Sequence, residues 1–184
     1  LQNYATVLTD PVWWGAVGTT AIITVASVAI ELVLGFAFAW VMYRILLGRS
    51  LVRTAILVPY GIITVVSAFI WKYAFALDSG FINQWMGGST FNWFGERWSS
   101  LFVITFSEIW KTTPFISLLL LAGLVQVPGE LLEAAKVDGA NAWQRFRNVT
   151  LPSLRSTTFF VTATTVILCL QLFDIVYALN QPNP

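Results

Sequence analysis

Four long apolar runs fix most of what this 184-residue chain can fold into. They cover about residues 13–43, 52–75, 101–125 and 157–179. The first, WWGAVGTTAIITVASVAIELVLGFAFAWVMY, makes roughly 45 Å of helix against a hydrocarbon core of about 30 Å, so it must tilt or project from the bilayer. Each of the other three is also long enough to span. The apolar fraction of 57% and charged fraction of 10% lie far from the soluble averages of about 45–50% and about 25%. The fold class that follows is all-α: a polytopic helical membrane protein.

The joining segments carry the orientation, because Lys and Arg are retained on the cytoplasmic side. Arg44, Arg49 and Arg53 surround the first loop and Lys136, Arg145, Arg147 and Arg155 the third, whereas residues 76–100 offer only Arg97. The first and third loops are therefore expected inside, and 76–100 outside with Trp85, Trp93 and Trp98 as headgroup-level anchors.

Several function classes fall away. One cysteine and no histidine exclude a Cys/His zinc site, an internal disulfide and imidazole catalysis, and no metal site is assigned. A net charge of +1 gives no reason to expect a nucleic-acid partner. No G-x-x-x-x-G-K-[ST] phosphate loop occurs. An enzyme is the least favoured class.

Between the third and fourth runs lies a polar interruption at about 128–152, ending ELLEAAKVDGANAWQRFRNVTLP. Pro128 and Gly129 end a span, and Glu130 and Glu133 suit the positive end of a new helix. Gly139 permits a sharp bend, and NAWQRFRNV predicts a second short helix with Trp143 and Phe146 on one face. Pro152 closes the unit.

Glu133-Ala134-Ala135, Gly139, Val149, Leu151 and Pro152 resemble the EAA motif of bacterial ABC importer permeases, with Val149 in place of the usual Ile. The resemblance extends over RTAILVPYGIITVVSAFIWKYAF, the outer loop with Gly80 and Asn83, SEIWKTTPFISLLLLAGLVQVPGELLEAAKVDGA and FDIVYAL. These stretches look like maltose-type carbohydrate permeases, the first of the two paired subunits, and are similar to the trehalose importers of actinobacteria. What the resemblance implies is a type I ABC importer transmembrane domain with a cytoplasmic coupling helix. Glu133, Ala134, Ala135, Asp138, Gly139, Ala140, Trp143, Phe146, Leu151 and Pro152 would form that element, with Trp143 and Phe146 as a buried anchor against a separate ATPase.

The implied partners are a second homologous permease, two ATPase subunits that bind ATP and Mg, an extracytoplasmic sugar-binding protein and the lipid of a bacterial plasma membrane. No cofactor is expected on this chain itself. In the family, FD-x-[IV]-[YW] and a following Thr lead into a Gly-Gly-Pro stretch and a last helix, where ALNQPNP stands here, and a further helix is expected before residue 1.

Polar groups inside spans are costly and mark candidate pathways. Glu108, Lys111, Thr112 and Phe115 share one helical face, and Pro114 lies in the same turn. An internal Glu108–Lys111 ion pair that only holds the bundle explains those two equally well. Tyr60 and Thr64 follow Pro59, and the fourth run carries Thr158, Thr162, Thr165 and Cys169; such threonines often only pack. By similarity to the maltose-type permeases, the sugar positions fall on Tyr60, Thr64, Glu108, Thr112, Phe115, Thr165 and Cys169. Gln171 and Asp174 would line the entrance. Glu31 is left without a transport role, its pairing with Lys111 or another subunit open. Importers of other solutes, such as glycerol phosphate or other oligosaccharides, are the alternative. An ion-coupled secondary transporter using Glu31, Glu108 and Asp174 ranks lower, because it gives the EAA loop no purpose.

Overall fold

A computed structural model describes residues 2–45, 48–88, 91–172 and 174–180, and every regular element among them is helical. The elements are α1 (Gln2–Thr9), α2 (Pro11–Arg44), α3 (Arg49–Leu57), α4 (Thr64–Ala74), α5 (Phe81–Trp85), α6 (Arg97–Val125), α7 (Gly129–Val137), α8 (Ala142–Arg145), α9 (Leu151–Ser153), α10 (Arg155–Leu170) and α11 (Asp174–Asn180). By length and apolarity α2 and α6 can each cross a bilayer, and the count reaches four if each of two broken pairs is one span.

The breaks have local causes. The run at 52–75 is interrupted: α3 passes into a tight 3₁₀ turn at Val58–Gly61, where Pro59 supplies no N–H, and Ile62 and Ile63 are extended before α4 begins. In the fourth run, α10 ends at Leu170, the chain turns at 171–172, and α11 is separate. Pro114, by contrast, sits inside an unbroken α6.

The chain divides into two compact units. The first comprises Leu1–Ile30, Ile63–Ile109 and Val166–Pro184, the second Glu31–Ile62 and Trp110–Thr165. In the first, Ile23, Ala68, Leu101, Ile104, Ile175 and Leu179 form one buried cluster and Ala74, Phe75 and Val103 another. Around Phe75 the rings of Trp71, Trp93, Phe102 and Phe106 meet at 4.7–6.5 Å, edge-on or tilted except for Phe102 and Phe106, which stack, arrangements that aromatic quadrupoles allow.

The loop at 76–100 belongs to this core. Asn83, buried, donates through Nδ2 to the carbonyls of Ala76, Leu77 and Phe91 and accepts from Trp93 Nε1 at 2.8 Å. At Gly80 a Cβ would collide with the carbonyl of Ala76, so no larger residue fits without backbone movement. Trp85 and Trp98 stay exposed, as anchors would. Trp93 does not: its indole is hydrogen-bonded to Asn83 and half-buried among phenylalanines.

In the second unit Ala39 and Met42 of α2 pack with Ile116, Leu120, Leu121 and Leu124 of α6 and with Leu154 and Val161. Lipid tails are as apolar as these side chains, so close packing rather than water exclusion draws such helices together.

Candidate coupling loop and solute pathway

Residues 128–153 fold by local rules. Extended Pro128 precedes α7, whose first turn holds Glu130 and last turn Lys136, each matched in sign to the helix dipole. The helix stops in a Schellman motif: Gly139 has φ +81°, Ala140 N–H donates to Ala135 O at 2.9 Å, and Gly139 N–H to Lys136 O at 3.2 Å. The next helix starts at once in a capping box, Asn141 accepting from Gln144 N–H at 2.9 Å while Gln144 Oε1 accepts from Asn141 N–H at 2.8 Å. A π-helical turn, Phe146–Thr150, carries α8 into α9. The stretch Ala142–Ser153 bends by 61° from α10.

The loop exposes most of the residues assigned to coupling. Glu133, Ala134, Asp138, Gly139, Trp143, Leu151 and Pro152 are exposed, and Ala135, Ala140 and Phe146 are half-buried. Val137 at 88% and Trp143 at 65% exposure, with Leu131 and Leu151 also exposed, leave apolar surface uncovered on this segment. Trp143 and Phe146 do touch, at 5.6 Å, but they have different surroundings. Phe146 turns inward, 5.6 Å from both Phe36 and Trp40 of α2. It ties the loop to a membrane helix, which leaves Trp143 as the outward aromatic.

Of the residues assigned to a solute pathway, the second unit brings two together. Tyr60 and Phe115 stack at 5.1 Å with their planes 12° apart, each ring directly following a proline. Tyr60 is exposed and Phe115 half-buried; Lys111 is half-buried and Thr112 buried on the same helix. Thr165 is buried with its hydroxyl donating to Val161 O at 2.8 Å, and Thr162 bonds to Thr158 O in the same way. These hydroxyl protons are directed to their own helix.

The first unit holds Thr64, half-buried; Glu108 and Cys169, both buried; and Gln171, exposed where α10 ends. Asp174 opens α11, and its side chain lies outside the described residues. Glu31, in the second unit, is fully buried.

Sequence reasoning missed the capping box, although Asn141-x-x-Gln144 is its signature, and it missed Asn83 as the organiser of the outer loop. Asn83 figures only in the family resemblance, and nothing in Phe81-Ile82-Asn83-Gln84-Trp85 marks its amide as the one that is buried.

Two solved structures share this fold. A bacterial ABC transporter that imports the acidic polysaccharide alginate matches with TM-score 0.87 at 22% identity, over 99% of this chain and 66% of that one. A bacterial alginate ABC transporter in complex with an alginate pentasaccharide-bound periplasmic protein matches at 0.85 and 23%, over 97% and 64%. The fold is that of an ABC importer transmembrane domain. Residues 31–183 match the model of the binding-protein-dependent transport system inner membrane component, and the chain belongs to that family.

Among curated relatives, the trehalose transport system permease protein of Mycobacterium tuberculosis is 45% identical over 98% of this chain and 58% of its own length. The trehalose/maltose transport system permease protein of Thermococcus litoralis is 37% identical over 100% and 63%. The chain thus spans about three fifths of the length of these relatives.

Proposed function

We propose that this chain is part of a permease subunit that passes a carbohydrate, a disaccharide such as trehalose or maltose, into a bacterial cell at the expense of ATP hydrolysed by other chains. The observation that carries the sugar assignment is the 45% identity, over nearly the whole chain, to a trehalose permease. Trehalose/maltose transport in the second relative supports the same substrate class.

The proposed complex pairs the chain with a second homologous permease and two ATPase subunits that bind ATP and Mg. An extracytoplasmic sugar-binding protein delivers the solute, as the periplasmic protein in the alginate transporter complex suggests. The membrane is the bacterial plasma membrane and residues 128–153 lie on its cytoplasmic side. The exposed Glu133 and Ala134 of α7, with Val137 and Trp143, dock on an ATPase, whose closure moves the loop. Phe146, seated on Phe36 and Trp40, passes that motion to α2. Tyr60 and Phe115 offer a flat apolar surface for the C–H face of a sugar ring, and Thr112 lies one turn before Phe115 on α6.

Uptake of labelled sugars by the complete complex in liposomes tests this. One disaccharide is expected to be taken up with ATP consumption, and Tyr60→Ala or Phe115→Ala to raise the concentration for half-maximal uptake about tenfold, the upper range for loss of an aromatic contact. Transport of no sugar in a panel including trehalose, maltose and longer oligosaccharides, by a correctly assembled complex, would remove the substrate assignment.

A further inference from the structure

Where α2 ends, the second unit contains a cleft of about 250 Å³. Apolar Leu124, Val127 and Leu132 line it together with Trp40, Tyr43, Arg44 and Arg145. Among the described residues no carboxylate lines it.

Both guanidinium groups keep donors to spare. Arg44 lies 4.8 Å from the centroid of the Trp40 ring, and its N–H groups have no hydrogen-bond partner among the described residues. Arg145 uses Nη1 on the carbonyl of Ala140. The result is two cations with no carboxylate beside them among the described residues, sharing a cleft with leucines and with a Trp and a Tyr at the last turn of a membrane helix. Interfacial aromatics, arginines and apolar side chains together suit a group that is anionic at one end and hydrocarbon at the other.

We propose that this cleft binds the phosphate of an anionic glycerophospholipid from the cytoplasmic leaflet, with Arg44 and Arg145 as its ligands. Arginine forks match phosphate oxygens, and basic pockets between membrane helices at this level select anionic headgroups. A headgroup held there joins the end of α2 to α8, so it braces the loop against the helix that Phe146 already touches. The inference rests on the cytoplasmic placement of the loop proposed above and is indifferent to which sugar is carried. A free phosphate ester offers the same chemistry, and the experiment separates the two sources.

The complete complex is placed in nanodiscs of phosphatidylcholine with or without phosphatidylglycerol. Retained lipid is counted by native mass spectrometry and sugar-stimulated ATP hydrolysis is measured in parallel. The parent complex is expected to retain phosphatidylglycerol preferentially. Arg44→Gln lowers that preference roughly fivefold, and Arg44→Gln with Arg145→Gln about thirtyfold, at about 1 kcal/mol per basic residue near the surface. Arg44→Lys, which keeps the charge, retains most of it and controls for misfolding.

Equal retention in the parent and the double Gln variant overturns the site. So does displacement of the lipid by millimolar sn-glycerol 3-phosphate, which would assign the cleft to a soluble phosphate ester. A complex that hydrolyses ATP without response to any sugar fails the importer reading instead, while lipid retention still reports on this cleft.

Discussion

The two long connecting segments solve the problem of ordering a polar chain in opposite ways. The segment at 76–100 is held by tertiary contacts: Asn83 ties three carbonyls and an indole, and Phe75, Trp93 and Phe102 pack around it. The segment at 128–153 is held by backbone rules, a Schellman stop followed by a capping box, with Phe146 its aromatic foot on α2. A segment ordered by its own caps can present its surface to a partner and remain folded. One ordered by burial cannot be rearranged without breaking its unit's core.

The largest effect is expected from Asn83→Ala. Two amide protons shared among three carbonyls and one accepted bond are lost together, so about 3 kcal/mol of stability should disappear at about 1 kcal/mol per bonded proton. Thermal unfolding of the detergent-solubilised complex reads this, and an unchanged midpoint would show that the outer loop is not held as described. Phe146→Ala should cost about 2–3 kcal/mol, toward the low end for Phe truncation because the ring is only half-buried. Trp143→Ala should change stability by less than about 0.5 kcal/mol, as an exposed side chain does, yet weaken association with the ATPase subunits. Equal effects of the two on stability would dissolve the distinction between an inward and an outward aromatic. Asn141→Ala, which removes one side of the capping box, should cost about 1 kcal/mol. Faster amide exchange at 142–147, with 76–100 unaffected, is the expected signature.

What could be read from the sequence follows the same division. Apart from its capping box, the polar loop was largely legible, because a left-handed glycine and helix restarts depend on residues within a few positions of one another: Gly139 as the bend and Glu130 in a first turn stand in the structure where the pattern put them. The pairing of Trp143 with Phe146 was legible too, but not that Phe146 faces α2, since Phe36 and Trp40 lie a hundred residues away in sequence. The same limit hid the Tyr60–Phe115 stack behind two separate observations of an aromatic after a proline. Long apolar runs announced helices, but hydropathy is blind to the extended residues Ile62 and Ile63 and to the turn after Leu170, because isoleucine and leucine are equally apolar in a helix or out of it. The threonines of α10 offered polar groups by composition; geometry shows Thr162 and Thr165 turned to their own backbone.

The central claim is that residues 128–153 receive work done by another chain. Sugar-stimulated ATP hydrolysis by the complete complex in liposomes tests it most directly, comparing the parent with Gly139→Val and Glu133→Ala. Gly139 has φ +81° with open space around it, so a β-branched residue there disturbs the bend through backbone strain alone. The account predicts that both variants assemble and hydrolyse ATP at a basal rate while stimulation by sugar is lost. Stimulation that persists at the parent level in both variants would contradict it, and the loop would then be only a connector between helices.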